Sequence, residues 1–363
     1  MIHVDYQKLR GLVQDVFERA GCNRDEAERI GRYLVESNLA GHDSHGVIRV
    51  PRYVNWLKEG KVVANQTPEV AMDTDVITVV DGKSGFGQSV GPFAVQMGID
   101  KAKKNGASIV AIRNSGHLGR IGDWAEMAAA AGQISIHFVN TTGLGMLVAP
   151  FGGAERRMST NPIAIGVPRE GTWPLILDFA TSIVAEGKCL VALSGGKPLP
   201  KGALIDGDGT LTEDPLVIYG KFDSSQPLDN RSGSGAIRAM GEHKGSGLSI
   251  MCEFLGGALT RGGAAQKDEN KLLNGMLSIF MSIEAFDAGH FFGDEVKRYV
   301  DFVKTAKPAA GVDEVLLPGE PEMISRAKRK AEGVPLTENA WESILETARA
   351  VGVPESDLKG LEV

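Results

Sequence analysis

The chain has 363 residues, 42% hydrophobic and 23% charged, with a formal net charge of -7; that length exceeds the roughly 250–300 residues at which one core stops growing, so two or more packed units are expected. The acidic balance, with no basic run longer than Lys328-Arg329-Lys330, argues against a nucleic-acid partner, and no apolar run approaches the ~18 residues of a membrane span. The opening Met1-Ile2-His3-Val4-Asp5 lacks the layout of a secretory signal, and three scattered cysteines, Cys22, Cys189 and Cys252, without C-x-x-C spacing, fit a reduced cytoplasmic protein.

Leu9, Leu12, Val13, Val16 and Phe17 form an apolar stripe at helical spacing over residues 7–20, stopped by Gly21. Asn23 caps a second helix, with Glu26 as the expected other half of a capping box, and Ala27, Ile30, Leu34 and Leu39 facing inward. That helix runs into Gly41-His42-Asp43-Ser44-His45-Gly46-Val47-Ile48-Arg49-Val50-Pro51-Arg52, a glycine-bracketed stretch with two histidines and two arginines. Histidine exchanges a proton near neutral pH, and the arginine fork fits a carboxylate. Pro51 begins another helix, so residues 1–70 read as an N-terminal helical part.

The pattern then alternates. Val76 to Val80 is a strand; Pro92 suits the first turn of a helix ended by Gly106; Ile109 to Ile112 and Ile134 to Val139 are further strands around a helix ending at Gly132. Short strands are predicted at 163–167 and 174–178, and surface loops over 194–235. A buried helix is predicted from Gly245 to Leu259, and a strand from Met276 to Ile283. Amphipathic helices at about 293–305, 320–332 and 338–350 are expected to pack back on the N-terminal helices. The fold class is therefore α/β, with an α/β region over 71–292 and C-terminal helices over 293–363.

Several short motifs invite chemistry and carry bland alternatives. Gly87-Gln88-Ser89-Val90-Gly91 matches G-x-S-x-G, which makes Ser89 the nucleophile of a rival serine-hydrolase reading; the remote strand favours a plain glycine-rich turn. Asp206-Gly207-Asp208-Gly209-Thr210 resembles an aspartyl-phosphate motif but follows prolines rather than a central strand, and reads as a solvated turn. His42 and His45 have metal-ligand spacing without an evident third ligand, so no metal is assigned. No G-x-G-x-x-G follows a strand, so a Rossmann site is not supported. Three further polar loops stand out: Ser115-Gly116-His117, Leu177 to Ser182, and Glu242-His243-Lys244-Gly245, the last opening a glycine-rich helix whose free N–H groups suit a phosphate.

These loops, in this order, resemble the malate/L-lactate dehydrogenase family with a non-Rossmann fold. The matching segments are GHDSHGVIRVPRY (41–53), NSGHLGRIGDWAEMAAAAG (114–132), VAPFGGAERRMSTNPIAIGVP (148–168), LDFATS (177–182), GEHKGSGLSIMCEFLGGAL (241–259) and LLPGEP (316–321). Within the family the wording is most similar to the bacterial hydroxycarboxylate dehydrogenase B type.

The resemblance implies a non-Rossmann NAD(P)-binding α/β domain combined with a helical domain built from both chain ends. It implies a cytoplasmic homodimer that interconverts a small 2-oxo acid and its 2-hydroxy acid with NAD or NADP. His45 matches the proton donor and also borders the cofactor; Ser44 and Arg49 match its neighbours in the substrate site. Asp178 is a candidate to hold His45 and raise its pKa, Arg52 is a reserve clamp, and His117 lines the substrate pocket. Gly119, Arg120 and Ile121, Asp178, Phe179, Ala180, Thr181 and Ser182, His243 and Lys244, and Gly319, Glu320 and Pro321 match the cofactor site. The wording departs from the family over 220–240 and at Arg261-Gly262-Gly263-Ala264, which leaves NAD against NADP open. A third reading is a catalytically silent nucleotide-binding protein.

Overall fold

Two side-chain caps start the helical layer. After β1 (Ile2–Val4), Asp5 accepts N–H bonds from Gln7 and Lys8 at 3.0 and 2.9 Å and opens α1 (Tyr6–Arg19). Asn23 accepts the N–H of Glu26 at 2.9 Å and opens α2 (Arg24–Leu39); such a cap is worth about 1 kcal/mol. The capping box does not close. The Glu26 carboxylate instead accepts from the Asn65 N–H and the Ser89 hydroxyl, while Asn65 takes the Asn23 N–H. The predicted stripe of α1 and the inward face of α2 are buried with Tyr53, Val54 and Trp56 of α3 (Val50–Lys58) and with Val334, Trp341 and Ile344 from the far end of the chain. The computed structural model describes residues 1–193, 197–220, 231–266, 271–287 and 289–362.

The sheet begins inside the segment expected to be helical: β2 (Glu69–Asp73) crosses position 70 and pairs with β3 (Ile77–Asp81). α4 (Gly87–Asn105) starts five residues before Pro92, which therefore sits inside the helix. The glycines of G-x-S-x-G are packing glycines. A Cβ at Gly87 would lie 2.2 Å from the His117 carbonyl oxygen, and one at Gly91 2.5 Å from the Trp124 ring. β4 (Ala107–Ser115), α5 (Gly122–Ala130) and β5 (Gln133–Thr141) follow, then β6 (Ile163–Val167) and β7 (Leu175–Phe179).

Residues 194–235 were expected to be surface loops. Where described, they enclose a third core instead. α6 (Glu186–Leu193), β8 (Leu204–Ile205), β9 (Leu211–Thr212), α7 (Leu216–Tyr219) and β10 (Ala236–Ile237) bury Cys189, Leu199, Leu204, Ile218, Tyr219 and Ile237. The Arg156 guanidinium replaces missing backbone pairing here, donating to the carbonyls of Ile218, Arg231, Gly233 and Gly235. The unusual wording at 221–230 lies outside the described residues. Asp206-Gly207-Asp208-Gly209-Thr210 is a turn, its first carboxylate accepting the N–H groups of Asp208 and Thr210.

α8 (His243–Cys252) runs into a π-helical turn, Glu253–Ala258, so the predicted helix is present but buried on one face only. Its buried face is Gly245, Ser246, Ser249 and Cys252, whereas Met251, Phe254 and Leu259 are exposed. β11 (Asn274–Ser282) completes a seven-stranded mixed sheet of order β2-β3-β4-β11-β5-β6-β7. β3 and β4 are parallel and every other neighbouring pair is antiparallel. Leu277 pairs with Ala111 on one side and Phe138 on the other. After α9 (Ile283–Phe286) comes α10 (Phe291–Lys304), which buries none of its residues and leaves Phe291, Tyr299 and Phe302 exposed. It therefore does not pack on the N-terminal helices as expected. α11 (Glu320–Glu332) and α12 (Glu338–Ala350) do, and between them β12 (Val334–Leu336) pairs antiparallel with β1. No helix among the described residues is long and apolar enough to cross a membrane.

Candidate active site

The glycine-bracketed stretch folds as two consecutive 3-10 turns, Asp43–His45 and Val47–Arg49, feeding α3 with Pro51 in its first turn. Buried Asn38 at the end of α2 fixes this shape. Its side-chain oxygen accepts the Val47 N–H at 2.8 Å, and its NH2 donates to Asp43 at 2.7 Å. A side chain at Gly46 would meet the Asn38 amide oxygen at 2.1 Å, which is the reason for glycine there. Arg329 of α11 locks the turn from outside, donating to both Asp43 carboxylate oxygens and to the Asn38 carbonyl.

So held, His45 stacks on His117 with ring centroids 5.5 Å apart and planes 11° from parallel. His45 Nδ1 lies 3.1 Å from the Ser44 hydroxyl, while its Nε2 makes no hydrogen bond among the described residues. His117 Nδ1 lies 2.6 Å from the Tyr53 hydroxyl. That hydroxyl also accepts from Gln88 at 3.4 Å; in the tautomer where it donates its own proton to His117 Nδ1, His117 Nε2 is the donor. Arg49 donates through Nε to the Ser44 carbonyl at 2.6 Å, which orients the guanidinium beside both rings. Burial, then Arg49, His42 and Arg120, push the His45 pKa down to about 3. Burial, Arg49, His45 and Arg52 hold His117 well below the ordinary imidazole value. Both rings are neutral in this state.

The distant loops meet this centre. Gly187 packs so closely on Ser44 that an added Cβ would lie 2.4 Å from the Ser44 Cβ. His42 pairs with Glu322 of α11 at 3.0 Å rather than facing a metal ligand set with His45. At the end of β7, Asp178 accepts the Gly122 N–H at 2.7 Å. Burial raises the Asp178 pKa, with Arg120, His42 and that N–H pulling it back. Asp178 is not hydrogen-bonded to His45, and His45 is shifted down, not up; the expected Asp178–His45 pair is therefore replaced by an Asp178–Gly122 tie that sets the start of α5.

Arg120 is buried and ion-paired to Asp123 and Glu126. Thr181 and Ser182 turn their hydroxyls inward, to the carbonyls of Thr160 and Val184, and the Thr181 carbonyl accepts the Met240 N–H. This brings LDFATS against the approach to α8. There His243 and Lys244 are exposed, and neither side chain makes a hydrogen bond or ion pair among the described residues; the His243 ring meets Phe151 edge to face. Gly319, at φ 92°, lies along β7, with the Ile176 N–H donating to the Pro318 carbonyl; the Glu320 carboxylate accepts from Lys304 and the Leu317 N–H.

Four site residues were not singled out from the sequence: Tyr53, Gln88, Glu186 and Glu322. Tyr53 read as an ordinary helix position and Gln88 as part of a glycine-rich turn, and nothing local marks their meeting with His117. Glu186 carried a faint signal, an acid beside glycine just after the LDFATS loop. Ser89, the rival nucleophile, lies inside α4, accepts from Arg29 at 3.2 Å and donates to Glu26 at 3.0 Å. With no histidine among those partners, the arrangement of a hydrolase nucleophile is absent.

The malate/L-lactate dehydrogenase family profile matches residues 4–345. Hydroxycarboxylate dehydrogenase B of Escherichia coli K12 is 39% identical over 360 residues, covering 98% of this chain and 96% of the relative. L-lactate dehydrogenase of Cupriavidus necator is 33% identical over 355 residues, 96% of this chain and 98% of the relative. The solved structure of sulfolactate dehydrogenase from Methanocaldococcus jannaschii superposes with a TM-score of 0.83 at 32% identity, covering 98% of this chain and 99% of that one. With its mixed sheet, its turn-borne histidine and its matched loops, the chain belongs to the malate/L-lactate dehydrogenase family.

Proposed function

We propose that the chain is an NAD- or NADP-dependent oxidoreductase that interconverts a 2-oxo acid and its 2-hydroxy acid, with His45 as the acid/base. The observation that carries this reading is the stacked His45–His117 pair beside Arg49. One ring nitrogen of His45 makes no hydrogen bond among the described residues, the His117 ring stacks on it with its Nδ1 held by Tyr53, and a guanidinium is fixed within the same turn.

The residues present fit a pyridine nucleotide. The side chains of His243 and Lys244 stand exposed and unpaired among the described residues at the start of α8, where a cation suits phosphate. The buried side-chain oxygen of Gln88, beside Tyr53, has no partner among the described residues and suits an amide donor. Asp178, Phe179 and Ala180, Gly119 to Ile121 and Gly319 to Pro321 are read as the remaining cofactor contacts, with Thr181 and Ser182 shaping the loop. When bound, the nucleotide supplies or removes the hydride at the substrate's C2.

In oxidation, neutral His45 accepts the hydroxyl proton at Nε2 while Nδ1–H donates to Ser44. In reduction, the protonated ring donates to the carbonyl oxygen as negative charge grows there. Arg49 holds the substrate carboxylate and Arg52 stands behind it; the His117 N–H steadies the reacting oxygen. Burial does most to keep His45 neutral and Arg49 adds to it; a substrate carboxylate against Arg49 offsets that second contribution, so substrate binding favours protonation of the ring.

We further read a helical domain from residues 1–70 and 293–363, held together through α11 and α12 at the core that joins Leu9, Tyr53 and Trp341 with α10 outside that core, and a cofactor domain over 71–292. A homodimer is supported by the exposed apolar faces of α8 and α10, and a cytoplasmic setting by three buried, unpaired thiols. The test of function is loss of reduced-nicotinamide absorbance with a panel of 2-oxo acids. Turnover with at least one acid is expected; nucleotide binding without turnover favours a silent binding protein.

A further inference from the structure

Glu186 is the first residue of α6, and the close packing of Gly187 on Ser44 forces that helix end against the His45 turn. Its carboxylate is largely buried and accepts from Arg231 at 2.6 and 2.7 Å, with Arg52 at 3.9 Å. Arg52 lies three residues after Arg49 on the same rising turn of helix, so the two guanidiniums stand side by side. One of the pair, Arg49, is oriented by the Ser44 carbonyl toward the histidines; the other faces a carboxylate that belongs to the chain itself.

We propose that Glu186 is a specificity-determining residue: it occupies the second anion position beside the substrate pocket and so restricts the chain to 2-oxo and 2-hydroxy acids with an uncharged side chain. The inference rests on the oxidoreductase reading above. A substrate with a second acid group has to bring that group toward Arg52 and Arg231, where it meets Glu186 as a like charge. Burial alone would raise the Glu186 pKa, but Arg231, Arg52 and Arg49 more than offset this and hold the side chain ionised. An amide of the same shape keeps hydrogen bonding to Arg231 through its oxygen and removes the repulsion.

The experiment compares kcat/KM for pyruvate and phenylpyruvate with that for oxaloacetate and 2-oxoglutarate, in the native protein and in Glu186→Gln. The native protein is expected to favour the monocarboxylates by about tenfold or more, and the variant to lower that ratio by about tenfold or more, mainly through KM for the dicarboxylates. An equal loss of kcat/KM for both classes in Glu186→Gln is what a merely structural residue gives, and overturns the proposal. Native protein that reduces oxaloacetate as well as pyruvate also overturns it, even if the variant fails to fold. No turnover of any of the four acids removes the oxidoreductase reading itself; turnover without discrimination leaves that reading intact and removes this one.

Discussion

Two histidines in this chain are driven to nearly the same acidity in two different regions. His137 lies in the middle of the sheet, fully buried, with Nδ1 2.8 Å from the Ser278 hydroxyl and Nε2 3.0 Å from that of Ser135. Burial alone lowers its pKa to about 3. His45 reaches about 3 with burial reinforced by Arg49, His42 and Arg120, and keeps Nε2 free. The sheet histidine has no open valence and no neighbour whose charge a ligand can change. The turn histidine has both. On the proposed function, what separates the two rings is not the depressed pKa but the unsatisfied ring nitrogen and the cation that a ligand can neutralise.

The sharpest way to break this contrast is to remove each ring. His45→Ala should lower kcat by about 10²- to 10⁴-fold while reduced nucleotide still binds; unchanged turnover would take His45 out of the reaction. pH separates the two directions of chemistry next. Reduction needs protonated His45, so kcat/KM should rise by about tenfold per unit as pH falls from 8 to 5, whereas oxidation, which uses the neutral ring, should stay nearly flat. A reduction profile that levels off near pH 6.5 would mean that the ring behaves as an ordinary imidazole.

Arg49→Lys should raise KM for the 2-oxo acid by about tenfold or more with a smaller change in kcat, since the two-pronged contact is lost. His137→Ala should leave kcat alone and destabilise the fold by about 1–3 kcal/mol, because two buried hydroxyls lose their partner; thermal melts read this directly. The native protein should show the matching linkage. The folded pKa of His137 lies below the unfolded 6.5, so the stability of the neutral ring is complete above that value and is lost as pH falls toward 3. The smallest effect is expected at Ser89. Ser89→Ala removes its bonds to Glu26 and Arg29 without touching the histidine pair, and activity should be insensitive both to this change and to serine-directed reagents.

Much of the local structure was legible because local chemistry determines it. The Asn23 cap, the α1 stripe and the strand at 163–167 all stand where periodicity and capping put them. The insertion of β11 between β4 and β5 was not legible, since its partners lie more than 100 residues away in sequence. Pro92 misled because a proline inside a helix is rarer than one at its start, and here Gly87 and Gly91 are required by packing on His117 and Trp124. The motif loops singled out His45, Ser44, Arg49 and His117, which the fold brings together. The Tyr53–His117 bond, the Glu186 carboxylate and the true partner of Asp178 depend on tertiary approach, which a linear pattern does not encode. The apolar faces of α8 and α10 looked like core because periodicity reports which residues avoid water, not which surface covers them.

The antiparallel ladder between β1 and β12 has a consequence for synthesis. Val4 pairs with Val334, the Asp5 N–H donates to the Leu361 carbonyl, and the Lys8 ammonium reaches the Gly360 carbonyl. The first strand leaves the ribosome hundreds of residues before its mate, so the layer that grips the Asp43–His45 turn can zip up only after β12 has been made. Until then the core that joins Leu9 and Phe17 to Val334 and Trp341 stays open at its C-terminal side.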